Sequence, residues 1–291
     1  MRQFVLHVRH FLSAALFAGM AGLLCLTGDA RAGEDESSVR ADHIAVALVS
    51  ESQATGDKAR LEGALVIDID DSWHAYWRFP GDGGLPPSFD WADSVNADGF
   101  VISWPVPQRF EVAGFYSFGY TGRVILPFAY DVVMPGAPVR LALDAAIMVC
   151  RDICVPQNVT LALDIPAGIY NETPAKQKIA AARADVPLAD NIPALRIDNV
   201  VVGPDALVVN VFSQYGSDGM DLFVEASGAD LYMTAPPDII ILNEDEPRYV
   251  MLRVAAPEGI YHLADALGGG ALTLTLIHDG RAIEKIVDFS Q

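Results

Sequence analysis

Two cysteines, Cys150 and Cys154, stand with three residues between them in the stretch IMVCRDICVPQ, Ile147 to Gln157. Thiols so close support three chemistries: a permanent staple, a soft-metal site, or a disulfide that opens and closes by exchange with another thiol. Together with the thioether of Met148 they make a soft set suited to Cu(I). A closed zinc site needs four ligands, and this stretch offers only its two cysteines, with no histidine nearby.

Geometry constrains the pair further. Four steps along an extended strand span about 13 Å at ~3.3 Å per residue, whereas the Cα atoms of a disulfide lie roughly 4.4–6.8 Å apart. The chain must therefore reverse between the cysteines. The tetrapeptide LALD occurs on both sides, at Leu141–Asp144 and at Leu161–Asp164. A hairpin that sets Cys150 opposite Cys154 also pairs Val149 with Val155, Leu143 with Leu161 and Leu141 with Leu163, and Pro156 is the one place where a bulge is expected. Side chains alternate across a strand, so the odd-numbered Leu and Val residues share a core face. Cys150 and Cys154 then share the opposite face with Asp144, Asn158 and Thr160, near the hairpin tip, where another protein can reach them. As a staple the pair is weak: closing a five-residue loop is worth about 2 kcal/mol, against about 4.7 for a loop of roughly 100 residues. Short-loop exposed disulfides are also the ones that exchange readily. On this chemistry exchange ranks first, a staple second and metal binding third.

The elements that position the pair are strands. HIAVALVS, RLEGALVIDI, FVISW, RVILPFAY, VRLALDAAI and VTLALDI, then LRIDNVVV, ALVVNVF, DLFVEA, DIIIL, RYVMLRV, ALTLTLIH and AIEKIVDF are strand-length apolar runs separated by Gly, Pro, Asp and Asn. That pattern predicts antiparallel β-sandwiches and no alternation of strand and helix. TPAKQKIAAARAD, Thr173 to Asp185, departs from it: Thr173 as N-cap and Pro174 at the first helical position predict a short helix. The expected organisation is a first sandwich over 33–172, a helical linker over 173–189 and a second sandwich over 190–291. Gly268 to Gly270 reads as a turn.

Residues 1–32 carry a basic start (Arg2, Arg9), an apolar run from about Phe11 to Leu26 and an Ala30-Arg31-Ala32 end, the layout of a cleaved secretory leader. Its removal takes away Cys25 and shifts the formal charge of −19 by three basic residues and one acidic, −19 − 2 = −21. So acidic a chain excludes nucleic acid and anionic membrane surfaces as partners. Beyond Ala32 no apolar run approaches membrane length, so stable membrane insertion is not expected after cleavage.

Four ordered motifs then carry a resemblance: WHAYWRFPGDGGLPPSFDW (Trp73 to Trp91), WPVPQRF (Trp104 to Phe110), GYTGRVILP (Gly119 to Pro127) and VCRDICVP (Val149 to Pro156). Together they resemble the periplasmic N-terminal region of the DsbD and ScsB family of membrane thiol:disulfide interchange proteins. The resemblance implies immunoglobulin-like β-sandwich domains, a periplasmic location and a Cys150/Cys154 redox pair, one cysteine attacking and the other resolving. It also implies a thiol–disulfide oxidoreductase of the protein-disulfide reductase type, without cofactor, whose partners are a separate membrane thiol reductant and periplasmic proteins of thioredoxin fold. The spacing of the cysteines looks nearer to the ScsB branch, and the association of that branch with copper tolerance keeps a copper-binding or partner-binding module as the alternative. Family members shield the redox pair with an aromatic cap loop. FEVAGFYSFGYTG supplies Phe115, Tyr116 and Phe118 as candidates, with ordinary core packing the competing reading. In SWHAYWRFPGDGG, alternation puts Trp73, Ala75 and Trp77 on one face and His74, Tyr76 and Arg78 on the other; the tryptophans read first as core, and the competing reading is that part of this motif lines the surface beside the cysteines.

Overall fold

The structure is a computed structural model that describes residues 32–33, 36–112, 114–227 and 231–289. The leader reading therefore lies, apart from Ala32, outside the described residues.

Among the described residues twelve strands precede the first helix: β1 Ala32–Gly33, β2 Glu36–Ala41, β3 Ile44–Ser50, β4 Arg60–Ile69, β5 His74–Gly81, β6 Ser88–Asp90, β7 Ala97–Ile102, β8 Gln108–Val112, β9 Phe115–Thr121, β10 Arg123–Val132, β11 Val139–Cys150 and β12 Cys154–Ile165. They form two sheets, β1-β2-β3-β4-β10-β7 and β12-β11-β5-β9-β8, with β6 on the edge of β11. Period-two patterning drives their packing. In β11 (VRLALDAAIMVC) Val139, Leu141, Leu143, Ala145, Ile147 and Val149 are all buried, and Arg140, Asp144 and Ala146 between them are exposed. Trp73, Ala75 and Trp77 join the same core from β5 and the turn before it, as alternation predicted.

After α1 Ala175–Arg183 come β13 Leu188–Ala189, β14 Leu195–Val202, β15 Ala206–Ser213, β16 Asp221–Ala226, β17 Tyr232–Met233, β18 Asp238–Ile241, β19 Tyr249–Ala255, the short α2 Leu263–Leu267, β20 Ala271–His278 and β21 Arg281–Asp288. These build a second pair of sheets, β13-β21-β20-β16-β17 and β14-β15-β19-β18, around their own apolar core.

Helix α1 starts after Pro174, and the Thr173 hydroxyl does the capping from one residue upstream, accepting from the Ala175 N–H at 3.2 Å while donating to the Ser50 carbonyl at 2.5 Å. It is not a free connector: Ala175 and Ile179 pack on Val49 and Ala64 of the first sandwich. The Gly268 to Gly270 run, read as a turn, follows a helix that the sequence did not announce; Gly268 ends α2 in the left-handed region at φ 62°, where a Cβ is disfavoured.

Candidate functional site: a half-buried disulfide at a hairpin tip

β11 and β12 pair without a register shift over twelve rows, from Val139↔Ile165 to Cys150↔Cys154, and include Leu141↔Leu163, Leu143↔Leu161 and Val149↔Val155. The bulge expected at Pro156 is missing. Pro156 sits opposite Met148 on β12, the outermost strand of its sheet, and an edge strand tolerates a residue with no N–H to donate. Arg151, Asp152 and Ile153 make the turn, closed by the Arg151 N–H donating to the Ile153 carbonyl at 3.0 Å. Cys150 and Cys154 are bonded, Sγ to Sγ, at 2.03 Å.

The two sulfurs differ in access. Cys154 is exposed, whereas Cys150 is only 2 % exposed. The expectation that both cysteines lie open thus holds for one. The reason lies in β5, which pairs with the end of β11 through Val149↔Ala75 and Cys150↔His74. Two residues on, Tyr76 projects from the same face, and its hydroxyl donates to Cys150 Sγ at 3.2 Å and lies 3.7 Å from Cys154 Sγ. A disulfide has no hydrogen to give, so the phenol is the donor to both.

Glycine makes this cover possible. Gly84, at φ +91°, passes so close to the Tyr76 ring that a Cβ there would lie 2.1 Å from Cζ. A Cβ at Gly119, the β9 partner of Tyr76, would meet the Ala75 carbonyl at 2.0 Å, so only glycine lets β9 approach β5. Burial raises the Tyr76 pKa above its ordinary 10 and lowers that of His74 below its ordinary 6.5, so both are neutral near pH 7. His74 stacks on Phe110 of β8 at 5.0 Å between ring centroids and meets Tyr76 edge-on at 5.3 Å. The disulfide's inner side is thus walled by Tyr76, His74 and, behind them, Phe110.

The three cap candidates separate by strand parity. Ladder partners share a face. From Cys150↔His74 and Tyr76↔Gly119↔Gln108, the cysteine face continues to Phe110, Ser117 and Phe115. Phe115 is on that face and 62 % exposed. Tyr116 and Phe118 fall on the opposite face. Phe118 is fully buried against Phe223 and Phe79, at 4.7 and 5.7 Å between centroids, and Tyr116 lies under the Arg109 guanidinium at 6.0 Å. Phe110, which was not singled out, reaches the site. Its signal was available, since it is two residues from Gln108 in an alternating strand.

The opposite face is held by the second sandwich. Phe223 of β16 inserts into the first core beside Trp77 and Phe118. Arg109 of β8 donates to both carboxylate oxygens of Asp221, at 3.1 and 2.6 Å, and to the carbonyls of Leu222, at 3.0 Å, and Thr234. Arg78, which alternation puts on the face of His74 and Tyr76, instead donates to Glu225 at 2.6 and 3.0 Å and to Glu284, because β5 bulges between Tyr76 and Gly81 and breaks the alternation. Burial opposes its charge, but the bonds and charges of these two glutamates outweigh that and hold its pKa above the ordinary value.

Met148 keeps the parity of Cys150 and so lies on the cysteine face, one side-chain repeat away. Among the described residues no group of three His, Cys, Asp or Glu is placed to hold a metal ion, and no helix is long and apolar enough to cross a membrane.

Residues 45–166 match the family described as thiol:disulfide interchange protein DsbD, N-terminal. That segment runs from β3 to the end of β12 and contains both cysteines. A comparison with the curated proteins finds no match. Among solved structures, the N-terminal periplasmic domain of ScsB from Proteus mirabilis superposes with a TM-score of 0.67 at 21% identity, covering 86% of this chain and 95% of that one. At that identity the likeness is one of fold, and its span takes in both immunoglobulin-like sandwiches. A marsupial T cell receptor covers 87% of this chain and 100% of its own at 11% identity, with a TM-score of 0.23 that carries no argument. Residues 45–166 of the first sandwich are thus similar in sequence to the DsbD N-terminal family, and the chain shares its fold with the ScsB domain.

Proposed function

We propose that this chain is a periplasmic thiol–disulfide carrier of the protein-disulfide reductase type, with Cys154 as the sulfur exchanged with partners and Cys150 as the resolving sulfur. The observation that carries the assignment is the asymmetry of the pair: Cys154 is exposed at the hairpin tip, and Cys150 is covered by Tyr76. The periplasmic location rests on the leader layout of residues 1–32 and on the fold shared with a periplasmic domain.

A reductant's thiolate attacks Cys154 Sγ along the exposed side. The S–S bond breaks and its electron pair leaves on Cys150 Sγ, which the neutral Tyr76 hydroxyl stabilises with a hydrogen bond. The reductant's second thiolate then attacks its own sulfur in the mixed disulfide and releases Cys154. Two electrons have moved, and the chain holds a dithiol. In the donating half-cycle the Cys154 thiolate attacks an acceptor disulfide, and Cys150 resolves the mixed disulfide. The partners that fit are a membrane thiol reductant and acceptors of thioredoxin fold.

A Cys150→Ser variant tests the reading in cells. It should accumulate mixed disulfides through Cys154 that dissolve on reduction, whereas Cys154→Ser should trap far less. A pair that stays oxidised whatever the state of the reductant, with no trapped partner in Cys150→Ser, would sink the carrier role.

A further inference from the structure

Where α1 and the β20–β21 turn of the second sandwich close against β8, β9 and β10 of the first lies a cleft of about 940 Å³. Its floor is apolar, with Val106, Ile125, Ala182 and Ile277 among the lining residues. Its rim is cationic: Arg123, Lys178, Arg183 and Arg281 line it, against a single carboxylate, Asp185. That composition runs against the chain as a whole, in which Asp and Glu number 38 and Lys and Arg 19.

Three of the cations have carboxylate partners outside the lining: Arg123 with Asp68, Arg183 with Glu62 and Arg281 with Asp279. Exposed pairs of this kind are weak and yield to a better-placed anion. Lys178 makes no ion pair or hydrogen bond among the described residues. The C-terminal carbonyls of α1, which would repel an anion here, are occupied: those of Ala181, Ala182 and Arg183 accept from the N–H groups of Ala184, Asp185 and Val186. An apolar floor with a few convergent charges, at a junction between domains and within the size range of ligand pockets, is the form of a small-molecule site.

We infer that this cleft binds a small amphipathic anion, an aliphatic or aromatic carboxylate or sulfonate whose chain lies on the apolar floor while its head is held between Lys178 and Arg281. Cys150, Cys154, His74 and Tyr76 are not among the lining residues, so the site does not depend on how the cysteines are used.

Titration of the mature chain with decanoate, followed by calorimetry and by amide chemical shifts, tests it. Decanoate should bind saturably at submillimolar concentration, with shifts centred on α1 and the β20–β21 turn, and decyltrimethylammonium, of equal chain length, should bind at least roughly tenfold more weakly. The double variant Lys178→Glu/Arg281→Glu should weaken decanoate by a similar factor. Ala181→Trp, which fills the cleft from an exposed helix position, should abolish binding in a chain that melts like the parent. Failure to saturate, equal binding of the cation, shifts centred elsewhere, or unchanged affinity in both variants would overturn the inference. Preference for a polyglutamate peptide over decanoate would assign the cleft to a protein partner and overturn it as well.

Discussion

The hydroxyl of Tyr76 lies 3.2 Å from Cys150 Sγ, and the two residues come from strands whose ladder contact at this end is the pairing of Cys150 with His74. A neutral phenol donating to sulfur favours the form with more negative charge, which is the reduced one. Tyr76→Phe removes that donor. At about 1–3 kcal/mol for a hydrogen bond to a charged or highly polarisable acceptor, the reduction potential should fall by roughly 20–60 mV, and the thiolate released at Cys150 should titrate at higher pH. Equilibration with glutathione buffers and the thiolate absorbance of the reduced protein measure the two effects.

Gly84→Ala places a methyl group against the Tyr76 ring and a Cβ at φ +91°. We expect a loss of about 1–3 kcal/mol in stability. We also expect faster alkylation of Cys150 relative to Cys154 in the reduced protein, as Tyr76 is pushed from its place. Thermal unfolding and mass-resolved alkylation check both; unchanged alkylation would show that Tyr76 does not shield the buried thiol.

The pH dependence of stability should carry the signature of His74. Burial lowers its pKa in the folded chain below the unfolded 6.5, so the unfolded chain binds the extra proton first. Its contribution is complete above about pH 6.5 and is lost as the pH falls through the lowered folded value. His74→Gln should flatten the acid limb of a plot of unfolding free energy against pH, and leave the region above pH 7 unchanged in slope. An identical slope in both proteins would remove His74 from the account.

Arg109→Ala leaves the Asp221 carboxylate and the Leu222 and Thr234 carbonyls without their shared donor. Discounting for the partial exposure of Asp221, the cost is about 2–3 kcal/mol. Denaturant unfolding should change from one transition toward two as the sandwiches uncouple. A single transition at an unchanged midpoint would mean that Phe223 alone holds the interface.

The hairpin register was readable from sequence because its evidence is local: LALD on both arms and a short turn leave one pairing that buries every odd-numbered Leu and Val. The unequal exposure of the cysteines was not, because the covering phenol comes from 74 residues upstream and is held there by a loop glycine. The alternation in SWHAYWRF placed Tyr76 on the correct face, but failed for Arg78, where a bulge turns the strand toward Glu225. The aromatic run at Phe115, Tyr116 and Phe118 offers three cap candidates, with core packing as the competing reading. In a strand, neighbours point opposite ways, so the run divides between the cysteine face and the domain interface, and the stack on His74 falls to Phe110. No sequence signal linked Arg109 to Asp221, since ion pairs between domains follow from packing alone.

Twelve uninterrupted rows join β11 to β12, and the row at the cysteines is held by the same backbone ladder as the eleven behind it. The covalent bond adds little as architecture: the backbone ladder already sets Cys150 opposite Cys154. On the proposed exchange, gaining or giving up an electron pair would break or form one bond at the end of a ladder whose other eleven rows do not involve it. A partner that must distinguish the charged from the spent form has to sense the sulfur at the tip itself.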